Sequence, residues 1–279
     1  MRAQFYSGEK EQLTPIPIKN TVLSVKLSWN LLRFGNILAY VVVVIVNSIA
    51  GAIGINGLQT GAISDKYATL IAPAGYVFSI WGVIYLLLLG FVAYQFSAKR
   101  KESPFQEKIG YLFIASCIIN ICWLLLWHYQ MIAASVILML SLLLTLITIY
   151  TRLGVGVEKV PRNEMLLVHL PFSVYLGWIT VATIADIAAA LVSLGQPELI
   201  LGAVNWTILV IVVAVLITGM VLWKRRDLGY AAVLVWALVG IYVKQSALTP
   251  VAYTAIIGAA IIAFDAVLVI IQGRKKSTL

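Results

Sequence analysis

Three stretches of the chain set aromatic and polar residues at helical spacing inside otherwise apolar sequence. Phe78, Trp81 and Tyr85 stand at i, i+3 and i+7, and Asn120, Trp123 and Trp127 repeat that pattern. Tyr175, Trp178, Ala182 and Asp186 extend it by another turn. Steps of three and four keep each set on one helix face. The chemistry such faces offer is binding. Aromatic rings supply flat apolar area, and a few polar groups fix orientation, as in pockets for flat hydrophobic ligands. The plainer reading is a packing core in which Asn and Trp bond across helices, and Asn120 suits either. Asp186 is harder to assign to packing alone, because a carboxylate in the membrane is costly and is generally paired or functional.

Other polar residues in apolar sequence suggest less. Asp265 fits a structural pairing with Arg225 or with the terminal basic cluster, and Asn47 fits an interhelical hydrogen bond. Lys244 can extend its ammonium to the interface. His128 offers an axial nitrogen to a ligand, or is simply a solvated interfacial side chain. Cys117 and Cys122, five apart on one helix, point in different directions and read as buried small residues. There is no Gly-rich phosphate loop, no His-Glu-x-x-His and no Gly-x-Ser-x-Gly. No catalytic residue is therefore assigned, and no metal site or required cofactor is expected.

These faces need helices to carry them, and the composition says where the helices lie. Hydrophobic residues make up 62% of the 279 positions and charged residues 11%, so lipid must cover part of the apolar surface. Eight runs are long and apolar enough to cross a bilayer: Phe34–Gly54, Tyr76–Phe96, Ile109–Trp127, Met131–Thr151, Met165–Leu194, Ala203–Trp223, Gly229–Val243 and Val251–Ile271. The expected fold is an all-α polytopic membrane bundle of about eight transmembrane helices.

The net charge of +9 does not point to nucleic acid, because the basic residues fall in short clusters between the runs. With the N-terminus inside, every Lys and Arg except Lys66 and Lys244 lies on the cytoplasmic side. Both termini are accordingly expected in the cytoplasm, and the apolar run that begins near Phe34 is read as a span rather than a cleavable signal peptide. At about 1.5 Å of rise per residue, Trp81, Asn120 and Asp186 all lie roughly 8–12 Å below the outer boundary. Their faces can thus enclose a pocket in the outer half of the bilayer, with the long loop Ile55–Gly75 above it.

The same residues carry a family resemblance. Pro73-Ala-Gly-Tyr-Val-Phe-Ser-Ile-Trp-Gly-Val-Ile-Tyr85, Asn120-Ile-Cys-Trp123 and Tyr175-Leu-Gly-Trp178, with Asp186 eight residues on, resemble in order and spacing the TspO/MBR (tryptophan-rich sensory protein) pattern. The resemblance divides the chain into a basic cytoplasmic segment (1–33), a five-helix TspO-like core (34–194) and a three-helix extension (195–279) with a basic tail. The extension is similar to a longer bacterial branch, which implies a bacterial cell membrane. Asp186 stands where the family usually has Asn, and Pro171 is offset from the family's proline.

The resemblance implies a porphyrin- or haem-binding protein, commonly a homodimer, with a sensory or regulatory role. Phe78, Trp81, Tyr85, Trp123, Tyr175 and Trp178 would enclose the tetrapyrrole, and Asn120 and Asp186 would bond its polar edge. Oxidative porphyrin breakdown, proposed for the family, would fall to Trp81 and Trp178. The alternative is a transporter of an apolar or cationic solute using Asp186 and Asp265. The absence of an internal repeat weighs against that alternative.

Overall fold

A computed structural model of the chain describes residues 29–96, 104–196 and 201–277. Arg2, Lys10, Lys19, Lys26, Lys99, Arg100 and Lys101 of the expected inner-side clusters lie outside the described residues, as do the side chains of Arg274, Lys275 and Lys276. Each expected span is a helix. They are α1 (Trp29–Ala52), α3 (Ile80–Tyr94), α5 (Leu112–His128), α6 (Ile132–Leu153), α7 (Arg162–Ser193), α8 (Ala203–Arg225), α9 (Leu228–Lys244) and α10 (Thr249–Ser277). Two short helices complete the set, α2 (Thr60–Lys66) in the long loop and α4 (Pro104–Ile109) before α5.

Six of the eight long segments meet both length and hydropathy for a span, and a 3₁₀ turn (Gly75–Ser79) lengthens α3 enough to qualify. The other two, α5 and α9, have 17 residues each, the lower limit for crossing. α1 begins at Trp29, earlier than Phe34, because Arg33 and Asn36 have buried partners: Arg33 Nη2 donates to Gln106 Oε1 at 3.1 Å and Asn36 Nδ2 to Gln95 Oε1 at 2.8 Å.

Five helices close into a ring: α1 packs on α5, α5 on α6, α6 on α7, α7 on α3, and α3 back on α1. The remaining three, α8, α9 and α10, pack on one another, and α9 docks them onto the outer side of α7. Close approach there depends on small residues. A methyl on Gly177 of α7 would sit 3.1 Å from Val233 Cβ of α9, and one on Gly240 would overlap Val77 at the start of α3. The same joint is bonded. Ala74 N donates to Gly240 O at 3.1 Å, Trp236 Nε1 to Val77 O at 3.1 Å, and Lys244 pairs with Asp65 at 2.7 Å.

The end of the bundle that carries the 53–74 loop is here the loop end, and the opposite one, with Arg152 and Arg225, the basic end. At the basic end α7 opens with a π-helical turn, Met165–His169. Pro171 accounts for it, since its ring has no N–H and would collide with the Leu167 carbonyl in a regular α-turn. Beside this turn Asp227 caps α9 and binds three elements together. Its carboxylate accepts from Tyr150 Oη of α6 at 2.7 Å, Ser173 Oγ of α7 at 2.5 Å, and the backbone N–H groups of Gly229 and Tyr230 at 3.0 and 3.1 Å.

Arg225, expected opposite Asp265, is used elsewhere. Nη1 donates to Val155 O at 3.1 Å, and the guanidinium lies 5.0 Å over the Tyr150 ring. Asp265 instead faces α8 beside Gly219. The two cysteines are free, as expected, but Cys122 is exposed rather than buried.

Asp227→Ala leaves two hydroxyls and two cap N–H groups without their acceptor and should destabilise the protein by about 3 kcal/mol. Tyr150→Phe removes one of these bonds and should cost about 1 kcal/mol. Thermal unfolding in detergent, read by loss of helical ellipticity, measures both.

Candidate functional site

The three stripes meet inside the five-helix ring, and Trp81 is their hub. Its ring stacks on Tyr85 with centroids 5.6 Å apart and leans on Trp123 at 6.5 Å. It meets Tyr175 and Trp178 edge to face at 6.0 and 6.1 Å. Phe78 adds an edge contact to Trp178 at 5.8 Å, and Trp123 stacks on Trp127 at 6.0 Å. Rings at these separations attract through their quadrupoles as well as by area.

Polar groups link the stripes. Asn47 Nδ2 on α1 donates to Asn120 Oδ1 at 2.8 Å, and Asn120 Nδ2 reaches Tyr175 Oη at 3.3 Å, so one chain of bonds joins α1, α5 and α7. Asn47 is thus an interhelical donor, as its position in α1 suggests. Asp186 is 2% exposed and accepts from Ser135 Oγ at 2.9 Å and Trp123 Nε1 at 3.3 Å. It fastens α7 to α5 and α6 and fixes the Trp123 plane. All eight expected site residues, Phe78, Trp81, Tyr85, Asn120, Trp123, Tyr175, Trp178 and Asp186, therefore belong to one connected cluster.

Two of its polar atoms have no partner. The Trp178 Nε1–H and the Tyr85 hydroxyl are buried without a hydrogen bond. A buried unpaired donor costs on the order of 1–3 kcal/mol, which a bound acceptor would relieve.

The loop closes over the cluster through histidine and tryptophan. His128 is fully buried, with Nδ1 3.0 Å from Ile55 O and Nε2 3.1 Å from Thr60 Oγ1. A carbonyl only accepts, so Nδ1 carries a proton and donates to Ile55 O, and Nε2 bonds the threonine hydroxyl. Both expectations for His128 therefore fail: it is neither solvated nor a free axial nitrogen, because the loop occupies both ring atoms. Trp127 is also buried, its Nε1 donating to Thr60 O at 3.2 Å. Lys66 of α2 bonds Gln130 after α5 and pins the other end of the short helix.

Two spaces adjoin the cluster. The first, among Trp81, Trp123, Trp178, Asp186 and the loop residues Thr60 and Ser64, holds only about 30 Å³, room for a water or two. The second holds about 660 Å³ and lies between α1, α2 and α3. Its walls are Phe78, Trp81 and Tyr85 on one side and Asn47, Ser48 and Gly51 on the other. α1 and α3 touch towards the basic end, where Tyr40 Oη donates to Tyr85 O at 2.9 Å, and part towards the loop end.

Spacing thus brought these rings together, and the larger of the two adjoining spaces lies on the α1 side of Trp81. The groove residues Ser48, Gly51, Ser79 and Gly82 were missed because small residues carry no chemistry of their own. Their recurrence on the facing helices was the available signal. Ser135 was missed as well, although it lies about one turn inside α6, near the depth of Asp186.

The sequence model of the TSPO-like protein family matches residues 32–268, and the chain belongs to that family. The match takes in α8, α9 and most of α10 as well as the five-helix ring. No curated protein and no solved structure matches.

His128→Ala removes the two ring bonds, to Ile55 O and Thr60 Oγ1, that help tie the loop to α5. Amide hydrogen exchange across residues 55–66 should accelerate roughly tenfold, in line with a local loss of one to two hydrogen bonds, while exchange in α6 and α7 stays unchanged.

Proposed function

We propose that this membrane protein of the TSPO type binds a flat hydrophobic molecule of the tetrapyrrole class in the groove between α1, α2 and α3, and that occupancy serves a sensory or regulatory role. The observation that carries the reading is the groove itself. Its volume of about 660 Å³ falls within the usual range for ligand pockets, and its inner wall is the Trp81–Tyr85 stack. A planar macrocycle can lie against those faces, and the serines Ser48 and Ser79 on the groove walls offer hydroxyls to its polar edge.

In this reading Trp81, Tyr85 and Phe78 contact the ligand, while Asn120, Trp123, Tyr175 and Asp186 hold those rings in place from behind. The alternation of basic residues supports a groove in the outer leaflet and a basic end in the cytoplasm. His128 is committed to the loop, so the pocket offers an iron atom no axial nitrogen from that residue. The transport alternative has less support. Its two carboxylates lie in separate parts of the fold, Asp186 inside the ring and Asp265 in the three-helix group.

The test is a titration of the detergent-purified chain with protoporphyrin IX and with haem, following tryptophan quenching. Both should bind saturably in the micromolar range and with similar affinity, because the site recognises the macrocycle rather than the metal. Trp81→Phe should weaken binding roughly two- to tenfold, the worth of one aromatic pair. Trp178→Phe should weaken it less, by loosening the ring packed edge to face behind Trp81, and Asp186→Ala through a loosened Trp123. Absence of saturable binding in a folded protein would remove the tetrapyrrole assignment.

A further inference from the structure

At the basic end, a second cavity of about 650 Å³ lies between the α6–α7 connection, the π-helical turn of α7 and the α8–α9 turn. Its charged lining comprises Glu158, Lys159, Arg225, Arg226 and Asp227. Three of these are already committed. Glu158 pairs with Lys108, Asp227 accepts the four bonds described above, and Arg225 is held by Val155 O and the Tyr150 ring. Lys159 and Arg226, both exposed at the rim, make no ion pair among the described residues. Arg226 ends α8 in the left-handed conformation, at φ 53°.

The turn adds a third polar group. His169 closes the π-helical segment, is 4% exposed, lines the cavity and makes no side-chain hydrogen bond among the described residues. A buried imidazole without a partner inside a cavity that carries two cations at its rim marks an anion site. The remaining wall is apolar, with Met165, Leu166, Leu170 and Leu228, and Met165, Leu166 and Leu228 are exposed on the bundle surface. An aqueous anion has no use for such a wall, but an acyl chain does.

We propose that this cavity binds the phosphate of a membrane phospholipid, with Lys159 and Arg226 as its countercharges, His169 as a hydrogen-bond donor, and the Met165–Leu170 face against the chains. Anionic lipids gather near basic segments at the membrane surface, and each Lys or Arg there contributes appreciably to holding them. The site is at the opposite end of the bundle from the tetrapyrrole groove and does not depend on it.

The experiment is thermal unfolding and native mass spectrometry of the full chain in detergent. It is titrated with dioleoyl phosphatidylglycerol, dioleoyl phosphatidylcholine or inorganic phosphate. Phosphatidylglycerol should bind saturably and raise the unfolding temperature, with phosphatidylcholine weaker and inorganic phosphate without effect at matched concentration. Lys159→Gln and Arg226→Asn, the latter chosen because Asn tolerates the left-handed backbone, should each weaken phosphatidylglycerol roughly fivefold, and together about twenty-five-fold. His169→Gln, which keeps a donor, should bind better than His169→Phe. Equal binding of the two lipids, or no change in the folded double variant, would overturn the site. Stabilisation by inorganic phosphate alone would overturn the lipid assignment.

Discussion

A helix packed on both sides leaves lipid the least surface, and in this fold α7 is that helix. Half of its most hydrophobic stretch is buried, more than in any other long span of the described residues. It forms one wall of the five-helix ring and the docking surface for α9. Nearly every polar tie that matters ends on it: Tyr175 to Asn120, Asp186 to Trp123 and Ser135, Ser173 to Asp227, and Thr180 to Tyr230. Lipid offers no competing hydrogen bonds, so these groups must find one another, and the bundle is positioned by their doing so.

The three C-terminal helices share in this arrangement. α9 bonds to the loop end through Gly240, Trp236 and Lys244, and to the basic end through Asp227. Both ends of the ring are thereby braced by one helix of 17 residues. That role accounts for a family match running through α8 and α9.

Much of this was legible in the sequence. Eight apolar runs became eight helices because each had enough length and hydropathy to be unambiguous, and the i, i+3, i+7 stripes converged because a helix face has one direction. Asp227 was not legible: it reads as one more charge after Lys224, Arg225 and Arg226, and only the fold reveals the hydroxyls of Tyr150 and Ser173 beside it. His128 misled for a similar reason. A histidine at the end of a span looks solvated until the loop from Ile55 to Thr60 folds over it. The groove was hidden because an opening is made by what helices lack, and small residues such as Gly51 and Gly82 are silent in a search for functional groups. Arg225 and Asp265 failed as a pair because charge complementarity in a sequence does not say which carbonyls and rings lie nearer.

The parting of α1 and α3 has a consequence for how a ligand arrives. The groove is bordered by exposed positions on both sides, Ser48 and Gly51 facing Ser79 and Gly82, on segments long and apolar enough to lie in lipid. The loop pinned by His128 and Lys66 covers the direct route from water. A hydrophobic ligand of the proposed kind would therefore reach Trp81 by sliding sideways out of the bilayer. The concentration it presents to the protein is its mole fraction in the lipid, set by partitioning. Two compounds that fit the groove equally well would then differ in apparent potency by their membrane solubility alone, and the membrane's composition would tune the protein's response without touching a residue of the site.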